Sequence, residues 1–257
     1  MATNTNQKLA VLIDAGNAKA SVIQELLAEV SRYGTATIKR AYGDWTTTNL
    51  KGWKEVLHTM AIQPIQQFSY TSGKNATDSE LIIGAMDVLH TRSVDGFCLV
   101  SSDSDFTRLA TRIREAGLVV YGFGERKTPE PFVAACDKFV YTEILRSKPE
   151  EAKVEATPVE TPAKPVVEVA QLPALRPMIL TAIDAVARDD SWAPLGPVGS
   201  QMSKNNPSFD PRNYGVSQLG KLMRKQDYLE VKEVLMGEGS TNVHLYVRCK
   251  VAGAAKT

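Results

Sequence analysis

The 257 residues carry 30 Lys and Arg against 29 Asp and Glu, a formal net charge of +1, and 43% of them are apolar. Such a length allows one sizeable hydrophobic core and a second, smaller one, so two domains are expected, and near-neutrality excludes a chain that holds nucleic acid by bulk positive charge alone. No apolar run approaches the roughly 18 residues that cross a bilayer, and the opening MATNTNQK lacks an apolar signal core. No membrane partner is expected, and the protein is placed in the cytoplasm. Cys98, Cys136 and Cys249 are odd in number, far apart and set in apolar sequence, which reads as reduced core residues.

Taken in chain order, residues 8–13 (KLAVLI) form a short apolar run ending in Asp14-Ala-Gly-Asn, and Ala18 to Val30 then shows helical spacing through Val22, Leu26, Leu27 and Val30. Further strand-like runs lie at 35–41, 61–67, 97–101 and 118–122. Helical patterns separate the later ones, at 78–89 (Leu81, Ile82, Ala85, Met86 and Leu89 on one face) and 106–116. Short strands alternating with helices predict an α/β domain over 7–147: a parallel sheet with helices on both faces. Gly122 and Gly124 follow a strand but lack the third glycine of a dinucleotide fingerprint, so a turn is expected there. Arg126 and Lys127 beyond it read equally as RNA-backbone contacts or as solvated charges.

Residues 148–172 contain Pro149, Pro158, Pro162 and Pro165, five glutamates and no aromatic residue. Such a stretch is expected to be a disordered linker, because Val and Ala alone offset too little ordering entropy. Beyond it the basic excess appears, 11 Lys and Arg against 8 Asp and Glu over 171–257. An amphipathic helix is predicted over 175–187, a Pro/Gly-rich passage over 192–199, a short helix around Met202, and a third helix over 216–226 with Val216, Leu219, Leu222 and Met223 on its apolar face. Two strands, 228–234 and 242–248, follow around the turn GEGST. Three helices and a hairpin give a small winged-helix-like α+β domain over 173–250. Gln218, Lys221 and Lys225 share the face opposite the apolar stripe, with Arg224 beside them, and such a stripe either tracks phosphates or is simply a solvated face.

Ligands of parallel sheets bind beyond the carboxyl ends of the strands, and that rule selects four carboxylates. Asp14 follows the first strand, Asp103 and Asp105 follow the run at 97–101, and Asp78 opens the helix after the run at 61–67. Any one of them could be an ordinary helix cap. Four on one rim need neutralising, since two like charges 4 Å apart repel by about 4 kcal/mol at an effective dielectric near 20. With no His or Cys among them, Mg2+ or Mn2+ is the expected cofactor, in a site suited to phosphodiester hydrolysis. Lys74 lies four residues before Asp78, within reach of a phosphate.

The succession IDAGN, a Lys-containing loop with TDSELIIGAMD, VSSDSDF and YGFGERKTPEPFVAACDKF resembles the NYN domains of the LabA-like group, within the PIN-like nuclease fold, over about residues 7–146. The resemblance implies a metal-dependent ribonuclease site formed by Asp14, Asp78, Asp103 and Asp105, lined by Asn17 and by Ser101 or Ser102. Ser102 departs from the family, which usually shows Gly there, and a side chain at that position alters the turn. Residues 173–250, through WAPLG and FDPRNYG, resemble the LOTUS (OST-HTH) domain, which implies RNA binding and, in some relatives, protein docking. The combined expectation is a Mg2+- or Mn2+-dependent endoribonuclease whose C-terminal domain selects the RNA. Its rival is a non-catalytic RNA-binding adaptor that keeps the acidic metal site. A homodimer and a protein partner at the C-terminal domain are further expectations. A dehalogenase-like phosphatase is disfavoured, because position 16 is Gly where that motif has a second Asp.

Overall fold

The computed structural model describes residues 7–68, 76–145, 173–187, 190–235 and 243–250. The chain divides into two compact units, one up to Ala170 and one from Gln171. The expected linker, 148–172, lies outside the described residues. No helix among them is long and apolar enough to cross a membrane.

The N-terminal unit holds strands β1 (Lys8–Asp14), β2 (Thr35–Gly43), β3 (Gln63–Gln66), β4 (Gly96–Val100), β5 (Val119–Gly124) and β6 (Lys138–Tyr141). They form one sheet in the order β3-β2-β1-β4-β5-β6, with every pair parallel. Helices α1 (Ile23–Val30), α2 (Trp53–Thr59), α3 (Ala76–Thr91), α4 (Thr107–Glu115) and α5 (Glu130–Ala135) connect and flank the strands. This is the expected PIN-like α/β architecture. In β1 every residue from Leu9 to Ile13 is fully buried, which is why that run shows no polar alternation: a central parallel strand is covered on both faces. Leu9, Val11 and Ile13 pack with Ile23, Leu26 and Val30 of α1 in one cluster. β3 is short and carries Pro64 at the sheet edge, where its missing N–H interrupts no central ladder.

Several elements differ from expectation. The helix predicted from Ala18 begins as a 3-10 turn, Ala20–Val22, and becomes α-helical only at Ile23. The turn expected at Gly122 and Gly124 is instead the end of β5. Both glycines serve close packing: a Cβ on Gly122 would lie 2.6 Å from Cys136 Sγ, and one on Gly124 would lie 2.5 Å from the Ser101 carbonyl oxygen.

The C-terminal unit runs α6 (Leu175–Val186), β7 (Ala193–Pro194), α7 (Leu195–Asn205), α8 (Leu219–Arg224), β8 (Leu229–Leu235) and β9 (Val243–Cys249). Its sheet has the antiparallel order β7-β9-β8, the succession of a winged helix. Ile179, Ile183, Val198, Met202, Phe209, Leu222, Met223 and Val247 form a separate core. The FDPRNYG segment is a structural knot. Asp210 Oδ1 accepts the Arg212 N–H (2.9 Å), the Arg212 guanidinium donates back to Asp210 Oδ2 (2.8 Å), and the Tyr214 hydroxyl donates to the Pro173 carbonyl (2.9 Å). Gly215, at φ 73°, turns the chain out of it in the left-handed conformation that glycine allows.

Candidate metal centre

β1 and β4 are neighbours although the chain reaches β4 only after leaving the sheet's other half, so the strand order reverses between them. In such sheets the crevice beyond the strand ends at this point is the natural binding place. Ile13 pairs with Val100, so Asp14 and Ser101 leave the sheet side by side.

Asp14 is only 2% exposed. Its Oδ1 accepts the N–H groups of Gly16 (3.1 Å) and Asn17 (3.3 Å), and its Oδ2 accepts Asn17 Nδ2 (2.6 Å) and Ser101 Oγ (2.9 Å). A carboxylate has about four acceptor positions, and all are in use. Ser101 Oγ also accepts the Asp103 N–H (3.1 Å), so one hydroxyl joins the two loops. Asp103 Oδ1 in turn accepts the Asp105 N–H (3.0 Å), capping the 3-10 turn Ser104–Phe106. The helix-cap role and the strand-end position therefore coexist in one residue.

Asp78 stands in the first turn of α3. Asp78, Asp103 and Asp105 each offer an oxygen within 4.8 Å of the others. Burial, then the negative charges of Asp14, Asp103 and Asp105, push the Asp78 carboxyl up to about 6. A group of oxygen donors this close fits a hard divalent cation and offers nothing that favours zinc or copper. Of the four carboxylates expected to converge, three meet. Asp14 lies outside that trio, near enough for its charge to act on Asp78.

Beside the acidic group lies a cleft of about 680 Å³ lined by Asp14, Asn17, Lys19, Asp44, Asn49 and Asp78 among others. Asn17 lines this cleft and donates to Asp14. The opposite wall, from the segment between β2 and α2, was not anticipated, because DWTTTNL shows neither periodicity nor a charge pattern. Lys19 was also missed, although it follows Asp14 by only five residues. It pairs with Glu125 (2.5 Å), and Glu125 pairs with Lys127 as well (2.8 Å). The Lys127 and Lys19 ammoniums hold the Glu125 carboxyl below its ordinary value.

The remaining expected residues are more scattered. Ser102 turns away from Asp14, its hydroxyl accepting the Glu125 N–H (2.8 Å). Arg126 sets its guanidinium 5.7 Å above the Tyr141 ring. Lys74 lies outside the described residues. In the C-terminal unit Gln218, Lys221, Arg224 and Lys225 are all exposed, with Arg224 ion-paired to Glu233.

Comparison with known proteins agrees with this division. The NYN domain family model matches residues 8–145, and the OST-HTH/LOTUS domain model matches residues 169–240. No curated protein matches the chain. Among solved structures, a protein of unknown function from Vibrio parahaemolyticus is 18% identical, covering 55% of this chain and 96% of its own, with a TM-score of 0.46. A solution structure of part of a Chromobacterium violaceum protein is 41% identical, over 33% of this chain and 89% of its own, with a TM-score of 0.27. An uncharacterised Nitrosomonas europaea protein is 25% identical, over 43% of this chain and 99% of its own, with a TM-score of 0.29. With the NYN model spanning more than half of its length, the chain belongs to the NYN domain family and carries an OST-HTH/LOTUS domain after the NYN domain.

Proposed function

We propose that the N-terminal unit is a divalent-metal-dependent endoribonuclease that hydrolyses RNA phosphodiesters, and that the C-terminal unit binds and selects the RNA. NYN domains are in general nucleases and OST-HTH domains bind RNA, and both families match this chain. The observation that carries the catalytic half is the meeting of Asp78, Asp103 and Asp105 within 4.8 Å at the strand ends, beside a cleft open to substrate.

In this reading Asp78, Asp103 and Asp105 hold Mg2+ or Mn2+. A bound ion of this kind lowers the pKa of water and offsets the charge that builds up on a phosphodiester under attack. The protein's own contribution is placement. Asp14, with its acceptor positions filled by Gly16, Asn17 and Ser101, is the fixed anionic floor of the site, and Ser101 transmits that fixity to the Asp103 loop. Without a cation the four carboxylates would repel a phosphate, so substrate binding and metal binding are coupled. Lys19 and Asn17 on the cleft wall are suited to the flanking backbone. The buried thiols of Cys98 and Cys136 fit a reducing, cytoplasmic setting. Protein docking and a homodimer find no support among the described residues.

The second reading, an RNA-binding adaptor, draws on the structural duties of two of these residues: Asp14 is saturated and Asp103 is a cap. Incubating purified protein with end-labelled RNA in Mg2+, Mn2+ or chelator separates the two. Metal-dependent internal cleavage is expected. Binding without cleavage under every condition would favour the adaptor.

A further inference from the structure

The sequence pointed to α8 as the RNA-binding face of the C-terminal unit, but the sheet carries a different surface. Along β8 and β9, Val231 pairs with Val247, and both turn into the core cluster. Side chains alternate across a strand, so the neighbouring pairs, Glu230 with Arg248, Lys232 with Tyr246 and Val234 with His244, stand on the outer face. Trp192, just before β7, joins them: Ala193 pairs with Val247 and is fully buried, which leaves Trp192 on the outer side beside Arg248.

On that face two rings and two cations meet. Lys232 Nζ lies 4.2 Å from the centre of the Trp192 ring and 5.6 Å from that of Tyr246, and Arg248 Cζ lies 4.6 Å from the Trp192 ring. Among the described residues only Arg248 has an acidic partner there, Glu230 at 2.7 Å. His244 is exposed beside them. Aromatic rings interleaved with cations on the open side of a sheet combine the two things single-stranded RNA offers, flat bases and a charged backbone. A stacked base is worth more than the exposed cation–π contact it displaces, and a displaced Lys232 remains beside the phosphates. By contrast α8 carries charge without an aromatic ring, and its Arg224 is held by Glu233.

We propose that the outer face of the C-terminal sheet, centred on Trp192, Lys232, Tyr246 and Arg248, is a stacking platform for single-stranded RNA. The proposal rests on the reading that this unit binds RNA, and it names the face and the strandedness. Paired bases cannot present their faces to such a platform, so a hairpin stem binds less well than an open strand.

The test uses the full chain in chelator, with a fluorescein-labelled single-stranded RNA of about 12 nucleotides, a span within the usual range for such surfaces. Anisotropy is read across a salt series. Trp192→Leu should weaken binding about tenfold or more while leaving the slope of log affinity against log salt unchanged, because stacking displaces no counterions. Trp192→Phe, which keeps a ring, should stay within about threefold of wild type. Lys232→Ala should flatten the slope by roughly 0.7, one phosphate contact on a single strand. Circular dichroism reports that each variant is folded. Wild-type affinity in folded Trp192→Leu and Lys232→Ala, with binding lost instead in Lys221→Ala/Lys225→Ala, would overturn the platform and leave the RNA-binding reading standing. Equal loss in Trp192→Leu and Trp192→Phe would overturn stacking. A wild-type chain that binds no RNA would overturn both the platform and the reading beneath it.

Discussion

Ser101 is uncharged and 3% exposed, yet two charged loops depend on its hydroxyl, which donates to Asp14 and accepts from the Asp103 N–H. Ser101→Ala removes both bonds and leaves one Asp14 acceptor position empty in a buried place. A loss of about 1–3 kcal/mol of stability is expected from urea unfolding, together with slower cleavage as the Asp103 loop loosens. Stability equal to wild type would mean that a water replaces the hydroxyl. Asp78 behaves in the opposite sense. In the metal-free protein its carboxyl titrates near 6 rather than near 3.8, so between those pH values the folded chain holds a proton that the unfolded chain has released. Stability therefore falls as pH rises from about 4 to 6 and stays lowered above that range. Asp78→Asn should remove the penalty. In chelator at pH 7.5 the variant should be the more stable by on the order of 1 kcal/mol, a figure reduced for solvent screening of a partly exposed group, while at pH 4 the two should unfold together. A stability gap that is the same at both pH values would place its origin in packing rather than charge.

At the level of elements, the spacing between β4 and β5 sets the site. Gly124 closes β5 where a Cβ would press on the Ser101 carbonyl, on Thr128 Oγ1 and on the Phe139 ring. Gly124→Ala is expected to cost about 1–3 kcal/mol, as overpacking does, and to shift Ser101 enough to lower cleavage more than Ser101→Ala does. Cleavage at the wild-type rate in a folded Gly124→Ala would show that the strand spacing tolerates the change. The strands that frame the site were legible because Leu9–Ile13 of β1 and all of β4 are buried and therefore read as unbroken apolar runs. The shorter elements were not. α2 buries Trp53 alone, α5 is six residues beginning after Pro129, and β6 is four residues long, so none repeats its period often enough to stand out in the sequence. The start of α7 was read as part of a Pro/Gly passage, with the helix expected only around Met202, because Gly196, Pro197 and Gly199 occur within it. Pro197 sits at the third helical position, where an N–H would have no partner in the helix, so the proline breaks nothing. α8 starts only at Leu219, later than Val216, because Gly215 is left-handed and Gln218 is extended. Strand-end logic located Asp14, Asp78, Asp103 and Asp105, but that Asp14 is saturated depends on where Asn17 and Ser101 point, which spacing does not encode.

For the whole molecule, the cluster around β1 and α1 and the core of the C-terminal unit share no residue: the first is built from positions 9–145 and the second from 175–249. Cutting the chain between Glu155 and Val166 should leave both units folded, with two independent thermal transitions. On the proposed reading, joining them holds RNA bound by one unit at a raised effective concentration for the other. The cut should therefore reduce catalytic efficiency on long RNA, below saturation, far more than on an oligonucleotide that reaches only the acidic cleft. Equal loss on both would argue against RNA selection by the C-terminal unit. The acidic cluster itself is tested most directly by titrating Mn2+ into metal-free wild type and Asp103→Asn in a calorimeter, with cleavage of end-labelled RNA followed on the same samples. The wild type should bind the ion and cleave. Asp103→Asn should stay folded, bind Mn2+ at least tenfold more weakly and lose cleavage in step. Undiminished cleavage by Asp103→Asn would contradict the assignment of this cluster as the metal centre.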